Sequence, residues 1–278
     1  MKTDYLFSII IPTWNNLPLL KLCIESILKN SYHHHQIVVH VNEGKDGTVN
    51  WLKEQKIDYT YSTDNVGICH AVNQAFSKTK ASYIVYMNDD MYACPKWDFY
   101  LKEAIDKQTN NLFFLSGTMI EPTKSGNRCA LAPYDFGNTP ESFQENKLLK
   151  EFDKIPFKDW NGATWPPNLI HREMWEKIGG FSPEFSPGMY SDPDFSMKLW
   201  QEGVRYFKGV SKRRVYHFQS RSTGKVVKND GRKQFFEKWD ISASTFYKNI
   251  LQMGTEFKGN LSNKPLKPSF TDKLKKLL

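Results

Sequence analysis

The chain has 278 residues, of which 40% are hydrophobic and 24% charged, an ordinary balance for a soluble globular protein with a substantial core in one large or two small domains. No apolar run approaches the roughly 18 to 20 residues of a membrane span, and "LFSIIIPTW" is too short and too poorly flanked, by Asp4 and Pro12, for a signal peptide, so a cytoplasmic location is expected. Four cysteines without a C-x-x-C pair (Cys23, Cys69, Cys94, Cys129) argue against a zinc ribbon or disulfide scaffold, and the net charge of +8 suits an anionic partner: nucleic acid, a membrane surface or a phosphorylated ligand.

Leu6 to Ile11 is a continuous apolar run ended by Pro12, as expected of a strand buried on both faces. Residues 17–29 place Leu19, Leu20, Cys23, Ile24, Ile27 and Leu28 at helical spacing. Ile37 to Val41 reads as a strand, followed by the polar turn "NEGKDGT" and a helix from about Val49. "DYTYS" is a short strand, Val66 to Phe76 a helix, Tyr83 to Met87 a strand, Trp97 to Ile105 a helix and Leu112 to Leu115 a strand. This alternation predicts an α/β fold with a parallel sheet and helices on both faces. Ligands of such sheets bind outside the carboxyl ends of the strands, where "PTWNN", "NEGKDGT" and "NDD" should converge. In the last of these, Asp89 and Asp90 follow an apolar strand directly. Two adjacent carboxylates there carry a large desolvation cost unless a cation or hydrogen bonds compensate; an Asx-type turn is the plain alternative.

Residues 121–160 are rich in Pro, Gly, Asn and Lys and weakly periodic, which suggests an excursion or lid and not a separate domain. "NLIHREMWEKIGGF" reads as a helix closed by Gly179 and Gly180. "SDPDFSMKLWQEG" reads as a helix with Asp192 as N-cap, Pro193 first and Gly203 as terminator. "VRYFKGV" is a final strand leading to "SKRRVYHFQS". Three histidines, "HHH" at 33–35, fall in a helix–strand loop and read as surface. Trp160 and Trp165 suit either core packing or stacking on a sugar. From Ser269 onward, Phe270, Leu274, Leu277 and Leu278 share one helical face, with Lys273, Lys275 and Lys276 off it and Lys264 and Lys267 before it. That stripe either contacts a membrane or packs on the protein's own body or a partner subunit.

"FSIIIPTWNN", "VNEGKDGT", "NVGICHAVNQAF", "YIVYMNDDM", "REMWEKIGGF", "YSDPDFSMKL" and "VYHFQS" occur in an order and spacing that resemble family 2 glycosyltransferases, over roughly residues 6–220. The resemblance implies a GT-A, Rossmann-like, mostly parallel sheet with helices on both faces and a C-terminal acceptor-side segment. It implies a nucleotide-sugar-binding half at 1–120, an acceptor and catalytic half of the same domain at 121–225, and a helical extension with a basic amphipathic tail at 226–278. The implied reaction is inverting, sugar-nucleotide-dependent and assisted by manganese or magnesium, whose charge opposes that of the leaving diphosphate.

On this resemblance Asp90 matches the metal-binding last aspartate of a D-x-D motif, with Asn88 replacing the first, and Asp89 falls near the ribose or sugar. Asp192 matches the base that deprotonates the acceptor, with Ser191 where a glutamate is common and Asp194 structural. His217 matches a histidine completing the metal or diphosphate site, and Arg213, Arg214, Arg221 and Lys225 surround it as phosphate-neutralising candidates. Pro12, Thr13 and Asn15 match the nucleotide-binding end of the first strand. Asn42 and Glu43 match the acidic turn after the second, where Glu43 suits a uracil or thymine imide. Asn65 and Gly67 match a loop in which a small residue lets backbone approach the nucleotide, and Asn73 is a helix-face packing or hydrogen-bonding residue.

The expected function is transfer of a sugar from a nucleotide-diphosphate donor, UDP-sugar favoured, to a hydroxyl of a saccharide or lipid-linked acceptor in surface polysaccharide or glycolipid synthesis. The expected location adds a peripheral contact of the tail with the inner face of the cell membrane. One rival is a non-catalytic nucleotide-sugar-binding module, which the Asn88 and Ser191 departures leave open. The other is a sugar nucleotidyltransferase, which would need a Gly- and Arg-rich loop where "PTWNNLPLL" stands. No basic–aromatic motif supports nucleic acid as a partner.

Overall fold

The computed structural model describes residues 4–220, 227–263 and 265–276. The first half alternates as its periodicities require: β1 (Phe7–Trp14), α1 (Leu17–Asn30), β2 (Gln36–Asn42), α2 (Thr48–Glu54), β3 (Asp58–Ser62), α3 (Gly67–Phe76), β4 (Tyr83–Tyr86), β5 (Met91–Ala93), α4 (Trp97–Asp106) and β6 (Phe113–Ile120). The second half holds β7 (Ala130–Leu131), α5 (Glu145–Glu151), β8 (Trp160–Asn161), β9 (Asn168–His171), α6 (Arg172–Ile178), α7 (Ser191–Gln201), β10 (Tyr206–His217), α8 (Gly231–Trp239), α9 (Ala243–Thr245) and α10 (Phe270–Lys275).

Among the described residues one sheet runs β3-β2-β1-β4-β9-β6-β10-β5, with β7 beside β6 and β8 beside β10. β3, β2, β1 and β4 are mutually parallel, and β6 is parallel to β10. β9 lies antiparallel between β4 and β6, and β5 antiparallel on β10. Both faces are covered, so the side chains of each central strand divide between two cores. On β1, Ile9 and Ile11 pack with Leu20, Ile24, Trp97 and Leu101 of α1 and α4. Ile10 faces the other way, with Cys69 and Val72 of α3, Trp175 of α6 and Phe195 of α7. The 121–160 excursion carries a third cluster, in which Phe136, Leu148 and Ile155 pack on Leu19, Tyr92 and Tyr216 of the main body.

Four details differ from the expectations. β1 does not stop at Pro12 but continues to Trp14. The proline is tolerated because β1–β4 pairing ends at Ile10 and Tyr86. Ile10 O accepts from Met87 N at 3.0 Å, and Pro12, on the same side of the strand, lies past the last residue of β4 that could offer it a partner. "NLIH" is the strand β9, not the start of a helix, and only Arg172–Ile178 is helical; a four-residue apolar run is too short for its period to be read. β6 extends to Ile120, well beyond Leu115. Of the three histidines, His35 is buried, with Nε2 3.0 Å from Asp98 Oδ2.

Candidate active site

β4 ends at Tyr86, and residues 88–90 cross the carboxyl edge of the sheet. The two carboxylates found there are held differently. Asp89 Oδ2 accepts from Thr13 Oγ1 at 2.7 Å, from the end of β1. Burial and the Asp90 charge raise its pKa. Asp90 is 5% exposed, and its Oδ2 accepts from Ser220 N at 2.9 Å and Ser220 Oγ at 3.0 Å, with His217 Nε2 at 3.3 Å. The other imidazole nitrogen, Nδ1, lies 3.0 Å from Glu121 Oε1. Burial alone would raise Asp90 and lower His217; their mutual charge and hydrogen bonds outweigh it, holding Asp90 down and pushing His217 up to about 10. The neighbouring carboxylates are thus compensated by two hydroxyls, one backbone N–H and one imidazolium-like group.

These residues also fit a divalent cation. Asp90 Oδ1 accepts no hydrogen bond among the described residues, since every bond to that side chain falls on Oδ2. Asn88 Oδ1 is buried without a partner among the described residues. Glu121 stands behind His217 as outer-shell carboxylates stand behind ligating imidazoles, orienting Nε2 toward Asp90. Among the described residues no three His, Cys, Asp or Glu converge as a ready cage. A magnesium-type ion needs none, because it commonly takes one or two protein ligands and completes its shell with water and substrate phosphates.

Around this pair opens a cleft of about 890 Å³ lined by Pro12, Thr13, Asn65, Gly67, Asp89, Asp90, Asp192 and His217 together. Asn15 and Glu43 are not brought into it. They bond each other at 3.1 Å near its edge, and Glu43 is further held 3.0 Å from Lys45. The neighbours Asn16 and Asn42 line the cleft instead. Asn42 ties three segments together: Nδ2 donates to Thr13 O at 3.3 Å, and Oδ1 accepts from Val66 N at 2.9 Å.

Gly67 lines the cleft, and the protein's own packing also requires a glycine there. Its φ is +77°, and a Cβ there would stand 2.7 Å from Pro187 Cα. Ile68 N donates to Pro187 O at 2.9 Å, so the 65–67 loop is bolted to the segment that leads into α7. Asn229 grips that segment from the other side through Met189 N and O, at 3.2 and 3.1 Å.

Asp192 is not an N-cap. α7 begins at Ser191, behind Tyr190 with φ 68° and no side-chain cap. Asp192 therefore falls inside the first turn and takes no hydrogen bond among the described residues. Burial pushes its carboxyl up to about 7. Asp194 is the structural member, bonded by Ser182 Oγ at 2.5 Å and Trp239 Nε1 at 2.9 Å and paired with Lys238 at 2.9 Å. Asp192 also lines a second cavity of about 760 Å³, largely walled by Met91, Met119, Trp165, Tyr247 and Met253. The cleft and this cavity share Asn88, Glu121, Ser125, Pro166, Asp192 and His217. The cavity draws on residues 247–255, so the C-terminal extension contributes to it.

Arg213 and Arg214 do not face the cleft. Between Val210 and Arg214 β10 inserts three residues against a single step of β6. That bulge buries Arg213 over the Trp97 ring, 5.3 Å from its centroid, and directs Nη1 to Pro167 O. Arg214 donates to Ser211 O and Ile155 O. Arg221 and Lys225 lie outside the described residues. Trp160 is core, donating to Thr118 Oγ1 at 3.0 Å, whereas Trp165 faces the cavity with Tyr247 5.6 Å away. The sequence reading missed Glu121 and Ser220; a correctly extended β6 would have placed Glu121 at a strand's carboxyl end.

The sequence profile described as Glycosyl transferase family 2 matches residues 8–174, more than half of the chain. WcaA of Escherichia coli (strain K12), named for colanic acid biosynthesis, is 29% identical over 99 residues, 32% of this chain and 34% of its own length. The O-antigen biosynthesis protein RfbC of Myxococcus xanthus is 23% identical over 222 residues, 76% of this chain and 17% of its own. The chain thus spans about a third and about a sixth of these relatives. Among solved structures, S. aureus TarS with UDP-GlcNAc superposes with a TM-score of 0.60 at 16% identity, over 92% of this chain and 68% of that one. GalNAc-T7 with UDP, GalNAc and Mn2+ gives 0.57 at 16%, over 83% and 45%. Both likenesses are of fold.

Proposed function

The chain belongs to glycosyl transferase family 2, and from that premise we propose that it moves a sugar from a nucleotide-diphosphate donor to an acceptor hydroxyl with inversion. The observation that carries this reading is the junction at Asp192. A half-buried carboxyl without a hydrogen-bond partner is unfavourable to maintain, and this one stands where the polar cleft meets the largely apolar cavity. A module that only bound nucleotide sugars would have no use for it.

In this reading the cleft takes the donor. Thr13, Asn42, Asn65 and Asp89 supply the polar groups for nucleoside and sugar, and Asp90 would hold the cation together with His217, whose Nε2 gives up its proton on binding it. A bound manganese or magnesium ion supplies positive charge against the leaving diphosphate. The second cavity takes the acceptor, with Trp165 and Tyr247 offering apolar faces to the C–H surface of a saccharide. Asp192 accepts the proton from the acceptor hydroxyl as its oxygen attacks the anomeric carbon. The bond from that carbon to the diphosphate oxygen breaks with its electron pair leaving on the nucleotide, so one displacement inverts the centre.

UDP is the favoured nucleotide because the TarS and GalNAc-T7 structures of the same fold hold UDP or UDP-GlcNAc. The names of WcaA and RfbC support a saccharide or lipid-linked acceptor in surface polysaccharide synthesis. No helix among the described residues is long and apolar enough to cross a membrane. A thermal-shift screen tests the donor assignment: UDP with manganese should raise Tm by several degrees, as ligand far above its Kd does. UDP alone should do much less. If no nucleoside diphosphate moves Tm in the presence of manganese, the cleft is not a donor site.

A further inference from the structure

The C-terminal helix α10 turns its apolar side away from the protein. Phe270 is 76% and Leu274 46% exposed, whereas Asp272 between them is fully buried. At about 100° per residue, Asp272 lies on the side of the helix opposite to both. There it accepts from Thr245 Oγ1 at 2.6 Å, Ser269 Oγ at 2.8 Å, Ser269 N at 3.0 Å and Ser242 N at 3.2 Å. Ser269 returns a bond from Asp272 N, closing a capping box, and Lys276 pairs with Asp240 at 2.7 Å. These contacts fix the rotation of the helix, so the outward apolar side is imposed by the fold. Phe270 therefore stands largely clear of the protein's own body and Leu274 about half clear; Leu277, Leu278 and Lys264 lie outside the described residues.

Cations flank the exposed pair. Lys267, Lys273 and Lys275 are exposed. Among the described residues none of them takes part in an ion pair. Lys273 stands about 60° around the helix from Phe270. An aromatic and an aliphatic side chain projecting together, bordered by exposed ammonium groups on a chain of net charge +8, match the boundary of an anionic bilayer. The apolar groups enter the acyl edge while the lysine stems reach back to headgroup phosphates.

We propose that α10 is a docking surface for an anionic lipid bilayer, with Phe270 and Leu274 inserted at the interface and Lys267, Lys273 and Lys275 meeting the headgroups. Contact through so small a face is reversible and salt-sensitive. This stands apart from the sugar-transfer reading and does not depend on it.

Co-sedimentation of the full chain with vesicles tests the proposal. The protein should bind vesicles containing phosphatidylglycerol and not phosphatidylcholine alone. It should be released in about 1 M salt, where the screening length falls to about 3 Å. The double variants Phe270→Ser/Leu274→Ser and Lys273→Gln/Lys275→Gln should each weaken partitioning by about tenfold or more. Both alter exposed side chains, so their melting temperatures should match that of the parent. Undiminished binding by either double variant, equal binding to neutral vesicles, or no binding at all overturns the proposal. So does a dimer that Phe270→Ser/Leu274→Ser dissociates in the absence of vesicle binding, which would assign the face to a second copy of the chain.

Discussion

Asp192→Asn should lower turnover by about 10²- to 10⁴-fold, the range for a lost general base, while leaving donor affinity in place and making the protein more stable above neutral pH. The stability half follows from the pKa. A carboxyl raised from its ordinary 3.8 to about 7 by burial holds its proton more tightly folded than unfolded. Its unfavourable effect is absent below about pH 4, grows as pH climbs through that window, and is complete above about 7. Asparagine is close in shape and carries no charge to bury, so it should add at most about 2–4 kcal/mol at alkaline pH and almost nothing at acid pH. The catalytic half predicts that wild-type kcat/KM rises as pH passes about 7 and that this limb disappears in the variant. Chemical unfolding at two pH values together with a pH–rate profile reads both halves. A variant that is less stable at every pH, with turnover per folded molecule preserved, would show Asp192 to be a structural residue of the first helical turn.

Asp90→Ala should abolish metal-stimulated nucleotide binding and with it turnover, by more than the roughly 100-fold that an outer-shell partner costs. Alanine also leaves Ser220 N and His217 Nε2 facing an empty position in a buried setting. That loss destabilises in its own right, so Asp90→Asn is the companion variant. Asparagine still accepts from Ser220 but lacks the charge that draws the cation. Manganese titrations of UDP binding should therefore show both variants needing far more metal, with Asp90→Asn the better folded. Metal dependence unchanged from wild type in Asp90→Asn would remove Asp90 from the cation site, and full activity in the presence of a chelator would remove the cation.

Strands β1 to β4 and helices α1, α3 and α4 were legible because each is either a short apolar or β-rich run or a stretch with a clean helical period, bounded by polar turns. Their order places "PTW", "NDD" and the 65–67 loop at one edge without further information. The second half was harder. β9 is too short to show a period, and its four residues merged with the helix that follows. β10 hides a three-residue bulge, which turned two arginines that looked like phosphate ligands into buried braces on Trp97 and on backbone carbonyls. Asp192 had the local sequence of an N-cap, but the left-handed Tyr190 starts the helix two residues earlier, and the carboxyl takes no hydrogen bond among the described residues. Gly67, which lines the cleft, also makes room for Pro187, a contact that local sequence does not reveal. In each case a contact distant in sequence overrode or added to a correct local inference, and those contacts are the ones that assemble the site.

A single displacement at the junction of cleft and cavity leaves a stereochemical signature. The direct measurement is the stereochemistry of manganese-dependent donor hydrolysis, followed by proton NMR on an α-linked UDP-sugar. Water entering from the Asp192 side should release UDP and the β-anomer first, with mutarotation to the mixture following later, and Asp192→Asn should suppress the release. The α-anomer appearing first, or release that is indifferent both to manganese and to Asp192, would contradict it.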